Sequence, residues 1–360
     1  MSRRRFLPGI VAASLLFAAC SSAATPAPTA APAAPTASAT AAPTKTSDGT
    51  LPKPEVSSVK IAATIAEVGQ FGTQLAVRLG IYEKYGIQAQ VVIFNDDGGV
   101  LQAMLAGQAD LAQVGVAGVL SSQTTDNPAK VVAVQKTKVV DGLFCGKDIR
   151  TAADVKGKTI GVSSLGSTAH ASALLALQAL KLTDKDVTIT SVGGQAPRIA
   201  ALKAGSIQCA PAAMDQAKDL NGLGFNTVVD LSTSNLQYPA SAMSMPARFI
   251  EKNPKATLAI VASLLEAVHV ELTDPTNTAT LWAAFAQIAP DKALAAVQAL
   301  PSQLNPSLRW TKEGFLFTQQ VMAIVNPSIT TVDVTRAYDD SFLKTLEEIG
   351  FYKKIGAPTT

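Results

Sequence analysis

Residues 151–180 read TAADVKGKTIGVSSLGSTAHASALLALQAL. Turn, strand, polar loop and helix follow one another in that run. Residues 159–162 (TIGV) carry a β-branched side chain at three of four positions, which favours a short strand. Residues 163–167 (SSLGS) form a hydroxyl-rich loop with one glycine, Gly166. From Thr168 onward the Ala and Leu content is strongly helical, and Ser167 is a candidate N-cap. A strand that feeds such a loop into a helix aims unpaired N–H groups and the positive end of the helix dipole at one spot. That spot suits an anion or a polar head group. The other reading is an ordinary strand-to-helix turn in which Ser167 merely caps. This stretch alone leaves both open.

Outward from it, the plan repeats. Before it, strands are expected at 59–64, 87–94, 111–114 and 131–134, with helices at 73–79 and 100–106. After it come strands at 187–190, 207–210 and 227–230, with helices at 197–204 and 214–220. Short strands alternating with helices predict α/β units with mostly parallel sheets. AMLAGQADLA (103–112) aligns without gaps on ALKAGSIQCA (201–210). A helix that closes on glycine before a buried strand would explain Gly107 and Gly205 as C-cap positions. Two related lobes are therefore expected. Past residue 244 the pattern turns helical, with start signals at Asn253-Pro254, Asp274-Pro275 and Pro290-Asp291. This tail is expected to pack on the first lobe.

The N-terminus has its own signature. Arg3, Arg4 and Arg5 precede an apolar run too short to span a bilayer, and Ala18 and Ala19 precede Cys20. Residues 1–19 read as a secretory signal peptide. FAAC resembles the lipobox of bacterial lipoproteins, with Phe17 where Leu is usual, so Cys20 is expected to become the lipidated first residue. SRRRFL also resembles a twin-arginine export signal, which leaves the export route open. Every residue from 21 to 44 is Ala, Pro, Ser or Thr. Such a segment buries too little apolar surface to offset its ordering entropy. Residues 20–57 are therefore expected to form a disordered tether.

A chain of 360 residues allows two ordinary domains. Net charge +3 and a pI near 8.6 are too mild for nucleic acid, and no RNA-binding motif occurs. Beyond the leader no uninterrupted apolar run reaches 18 residues, so no spanning helix is expected. Aromatic content is 5%, and the two tryptophans, Trp282 and Trp310, lie late in the chain. That disfavours a stacked sugar. No spacing of His, Cys or acidic residues suggests a metal site, and no cofactor is implied.

At AGQADLA (106–112), DVKGKTIGV (154–162), the GST-helix from 166 and ALKAGSIQCA (201–210), the chain resembles bacterial substrate-binding proteins. The likeness is to the group that serves ABC importers of nitrate, sulfonates, taurine and thiamine-pyrimidine precursors. The resemblance implies a type II periplasmic-binding fold of two α/β lobes joined by two crossover strands. Lobe one would take 58–138 and 245–360, and lobe two 139–244. Residues 139–145 would cross outward and 240–245 return. The resemblance further implies a monomer that closes on a small organic solute and delivers it to an ABC permease and its ATPase. Its only tie to the membrane would be the lipid anchor.

Ligands of open α/β sheets sit beyond the carboxyl ends of strands. On that mapping the candidate contacts are Gln70, Phe71, Gly115, Val116, Ser164, Gly166, Ser167, Thr168, Met214 and Asp215. Phe71 and Met214 can equally be packing residues, and Asp215 a helix cap. Arg198, at the start of the second-lobe helix, could lean into the cleft, but a surface position is the favoured expectation. The four loops on this mapping, 67–72, 115–118, 163–168 and 212–215, hold no Lys or Arg; helix dipoles and hydroxyls could still hold a compact anion, and Glu67 with Asp215 leaves room for a cationic or amine-bearing group. The family fold would make Cys145 and Cys209 neighbours, with a disulfide as one outcome and two buried thiols as the other. Two rival functions stand beside transport. An enzyme is the first, since pyrimidine synthases share the fold, but their cysteine-rich motif and G-x-S-x-G are missing. His170 is expected at a surface or interface. A ligand sensor without transport is the second.

Overall fold

The computed structural model describes residues 48–360, apart from 66 and 235. The leader and Cys20 lie outside the described residues, as does the tether up to residue 47. The described chain belongs to one compact unit. Its strands are β1 (Ser58–Ala63), β2 (Gln88–Ile93), β3 (Leu111–Val114), β4 (Ala129–Lys138), β5 (Asp141–Cys145), β6 (Thr159–Val162), β7 (Thr188–Ser191), β8 (Cys209–Ala213), β9 (Asn226–Asp230) and β10 (Gln237–Pro246). Helices α1 (Gly72–Arg78), α2 (Ile81–Lys84), α3 (Asp97–Leu105) and α4 (Val116–Ser122) belong to the first half. The middle holds α5 (Ala152–Val155), α6 (Thr168–Ala179), α7 (Gln195–Lys203) and α8 (Ala217–Gly222). The tail is α9 (Ala247–Lys252), α10 (Pro254–Thr273), α11 (Pro275–Ala286), α12 (Pro290–Gln298), α13 (Lys312–Ala323), α14 (Ser341–Glu348) and α15 (Phe351–Ile355).

Two five-stranded mixed sheets result, ordered β2-β1-β3-β10-β4 and β7-β6-β8-β5-β9. Each has a parallel trio, and beside it an antiparallel strand that has come from the other half of the chain. β10 fills that place in the first sheet and β5 fills it in the second. The two-lobed α/β architecture is as expected. The chain crosses between sheets at 139–140 and again between the end of β9 and the start of β10. The return is thus earlier than the expected boundary at 244/245, which falls inside β10. The polar tip at 232–234 turns the chain, and β10 pairs with β4 from Gln237 onward.

The internal repeat is visible in the hydrogen bonds. In α3 the Gly107 N–H donates to the Met104 carbonyl and the Gln108 N–H to that of Ala103. In α7 the Gly205 N–H donates to Leu202 and the Ser206 N–H to Ala201. Both are Schellman closures, with the glycines at φ +73° and +74°. β3 and β8 then begin at matched positions, Leu111 and Cys209. The same four-residue exit thus sets the register of a central strand in each lobe.

Most of the tail packs on the first lobe. α10 lies against α1, α2 and α14, and its length and apolar character would let it cross a membrane, yet it is largely buried within the protein. α13 also touches α6, and Lys292 pairs with Asp219 of α8 at 2.7 Å, so the tail reaches the second lobe too. Cys145 and Cys209 face each other in the antiparallel pair of β5 and β8 and form a disulfide.

Candidate functional site

The carboxyl ends of the parallel strands from both sheets face one gap. A cavity of about 70 Å³ lies there, lined by Thr64, Glu67, Gln70, Asp96 and Asp97 from the first lobe. Asp141, Ser163, Thr168, Ala169, Gly194, Gln195 and Arg198 line it from the second. A second space of about 80 Å³ shares Asp97 and Thr168 with it. The gap is closed. A Cβ placed on Gly194 would lie 2.6 Å from the Asn95 carbonyl oxygen across the gap. One placed on Gly98 would lie 3.3 Å from the Ser164 hydroxyl. Glycine at these places lets backbone meet the opposite wall.

The loop at 163–168 does what its sequence suggests, but the space before the helix is filled by the protein itself. Ser167 caps α6, accepting from the His170 N–H at 3.2 Å and from the Ser163 hydroxyl at 2.8 Å. Thr168 Oγ1 donates to the Ala240 carbonyl at 3.1 Å. The Thr168 N–H faces the Asp97 carboxyl of the other lobe across the space that both line. The carboxyl group that faces this helix N-terminus is thus the protein's own Asp97. Burial pushes the Asp97 carboxyl up, while the Thr168 N–H and Arg198 partly offset that.

Charge is dense around the cavity. Lys136, on β4 and 3% exposed, pairs with Glu67. Arg198, 6% exposed, donates from Nε to the Pro211 carbonyl at 3.3 Å and from Nη1 to that of Gly193 at 3.2 Å. Burial lowers its pKa, against the pull of Asp141, Asp97 and Glu67. Asp141, at the first position of β5, accepts from the Ser172 hydroxyl at 2.5 Å. Its carboxyl is raised by burial and by Glu67, and drawn back by Ser172, Lys136 and Arg198. Asp96 caps α3 by accepting from the Gly99 N–H at 2.9 Å. Asp215 is exposed, yet crowding protein on its inner side, and then Glu67, push its carboxyl up to about 6.

Of the expected contact residues, Gln70 and Thr168 line the first space. Gly115, Ser164, Gly166, Ser167 and Thr168 line the second. Gln70 is held by the Gln113 amide, which donates to its carbonyl at 2.9 Å. Four residues lie apart from both spaces. Phe71 is fully buried, with ring centroids 5.3 Å from Trp282 and 5.4 Å from Phe285, so it is a core residue. Val116 is fully buried in the first turn of α4. Met214 packs on Gly142 and the small core of the second lobe, and Asp215 follows it in the same 3-10 turn. Two surface expectations are corrected. Arg198 is in the cleft because α7 starts there. His170 is buried, its Nδ1 accepting from the Gly166 N–H at 2.9 Å, and burial lowers its pKa.

Sequence reading missed Lys136, Asp97 and Asp141. A signal was present for the first. Lys136 ends VVAVQK, an otherwise apolar strand pattern, and a charge inside such a pattern needs a partner.

A family model described as NMT1/THI5 like matches residues 70–278, more than half of the chain. The chain belongs to that family. Among its relatives, a protein of Brucella abortus (strain 2308) named as a binding protein is 30% identical over 90 residues. That match spans 25% of this NMT1/THI5-like chain and 28% of the relative's length. The alkanesulfonate-binding protein SsuA from Xanthomonas axonopodis pv. citri shares the fold with TM-score 0.68 at 18% identity, over 79% of this chain and 99% of that one. The periplasmic nitrate-binding protein NrtA from Synechocystis PCC 6803 does so with TM-score 0.67 at 15% identity, over 84% and 91%. A desulfurization enzyme has the fold as well, with TM-score 0.58 at 16% identity, over 81% and 99%.

Proposed function

We propose that this protein is the extracytoplasmic solute-binding component of an ABC importer, a monomer that closes its two lobes on a small organic molecule and presents it to a permease. The observation that carries the reading is the cavity between the lobes, walled by polar side chains from both sheets. A solute held there touches both lobes and so favours the closed form over the open one. Family membership and a fold shared with named solute-binding proteins support it. Sensing without transport uses the same site, and only a partner distinguishes the two. A solute-binding importer component gives saturable binding with the solute recovered unchanged, whereas an enzyme on this fold returns product.

Gly194→Val tests the site. The side chain meets the Asn95 carbonyl only when the lobes are shut. Solute at 100 times its Kd is expected to stabilise the wild-type protein by about 2.7 kcal/mol. The variant is expected to bind about tenfold more weakly, because its closed state is less populated, with the unliganded melting temperature little changed. Equal affinity in calorimetry would move the site elsewhere.

The lipid anchor at Cys20 belongs to the same proposal. With Cys20→Ala the protein is expected to leave the membrane fraction of the cell and appear in the soluble one. Retention of the variant on the membrane would remove the anchor from the scheme.

A further inference from the structure

We infer that the cleft takes a small organic cation, a protonated amine or amidine, and not the oxyanions for which two of its fold neighbours are named. The inference rests on the cleft being a solute site and adds the charge of the solute.

A protein cleft has three ready devices for an oxyanion: a helix N-terminus, a lysine and an arginine. All three are present here, and each is engaged by the protein. The N-terminus of α6 faces Asp97, which lines both spaces together with Thr168. Lys136 is paired with Glu67. Arg198 is bonded to two backbone carbonyls and lies close to Asp97 and Asp141.

The balance of the walls is acidic. Glu67, Asp96, Asp97 and Asp141 line the cavity, against Arg198 in the lining and Lys136 behind Glu67. Four carboxylates against two cations leave an excess of negative charge in a partly dry space, where an unpaired charge is costly. An arriving ammonium or amidinium relieves that excess. An arriving sulfonate or nitrate adds to it.

At about 70 Å³ the space between the two walls suits a small charged head group.

The test is a binding panel on the full mature chain, read by thermal shift and calorimetry. The probes are 1,4-diaminobutane, ethanolamine and benzamidine as cations, nitrate and ethanesulfonate as anions, and uracil as a neutral solute. At least one cation is expected to stabilise the protein while neither anion does. Asp141→Asn is then expected to weaken that cation at least tenfold. Asp97→Asn serves the same purpose should the first variant fold poorly. If an anion or uracil stabilises the protein and the cations do not, the charge assignment is overturned and solute binding stands. If a cation binds with affinity unchanged in both variants, these carboxylates are not its partners and the inference falls. If nothing in the panel binds, the inference and the solute-site reading fall together.

Discussion

Glu271→Gln is expected to stabilise the protein at pH 8 by about 2 kcal/mol relative to its effect at pH 5. Glu271 lies near the C-terminal end of α10, 1% exposed, and neither carboxylate oxygen has a hydrogen-bond partner. Burial alone raises its pKa well above the ordinary value. The negative end of the helix dipole opposes ionisation at that place as well. Below the ordinary carboxylate range both the folded and the unfolded chain keep the proton, and the group is silent. As pH rises, the unfolded chain gives up its proton first. Stability then falls by about 1.4 kcal/mol per pH unit until pH passes the folded group's pKa. Glutamine has nearly the same shape and does not titrate, so that slope should vanish. Urea unfolding of both proteins from pH 5 to pH 8 measures it. Parallel stability curves would mean that Glu271 is ionised and paired in solution.

Removing the disulfide by Cys145→Ala with Cys209→Ala is expected to cost about 3 kcal/mol. The bridge closes a loop of sequence separation 64, for which chain entropy gives about 4 kcal/mol, an upper figure where the unfolded chain keeps some structure. The loss should fall on the second lobe, since β5 and β8 are both central there. Neither cysteine lines the cavity, so affinity for solute should change little. Equal urea midpoints for the oxidised protein and the double variant would show that the bridge contributes nothing.

The fold was legible where chemistry is local. TIGV followed by a Ser/Gly loop announced β6 and α6. The paired segments at 103–112 and 201–210 announced two lobes, and the glycine exits explain why these segments match. The site was legible only in outline. Residues of the loops at 67–72, 115–118 and 163–168 line the two spaces while the loop at 212–215 lies apart, and with Glu67 excepted the side chains that set the cleft's charge come from elsewhere. Lys136 is inside a strand. Asp141 opens the strand that has just crossed between sheets. Arg198 reads as surface or cleft with the surface favoured, until α7 is seen to begin at the gap. Phe71 became a core residue because Trp282 and Phe285 cover it from a helix some two hundred positions away in the chain. Depth of this kind is fixed by tertiary assembly, and no window of local sequence contains it.

The backbone passes from one sheet to the other at residues 139–140 and between the end of β9 and the start of β10. The two places lie side by side, since β4 and β10 pair up to Lys138 and Gln237, and β5 and β9 pair again from Gly142 and Asp230. Two adjacent pivots define a single line. On the proposed function, that line is where a swing of one half against the other would turn, like a book on its spine. Asn95 and Gly194, which follow the outer strands β2 and β7, then stand at the fore-edge, where the proposed solute would have to pass.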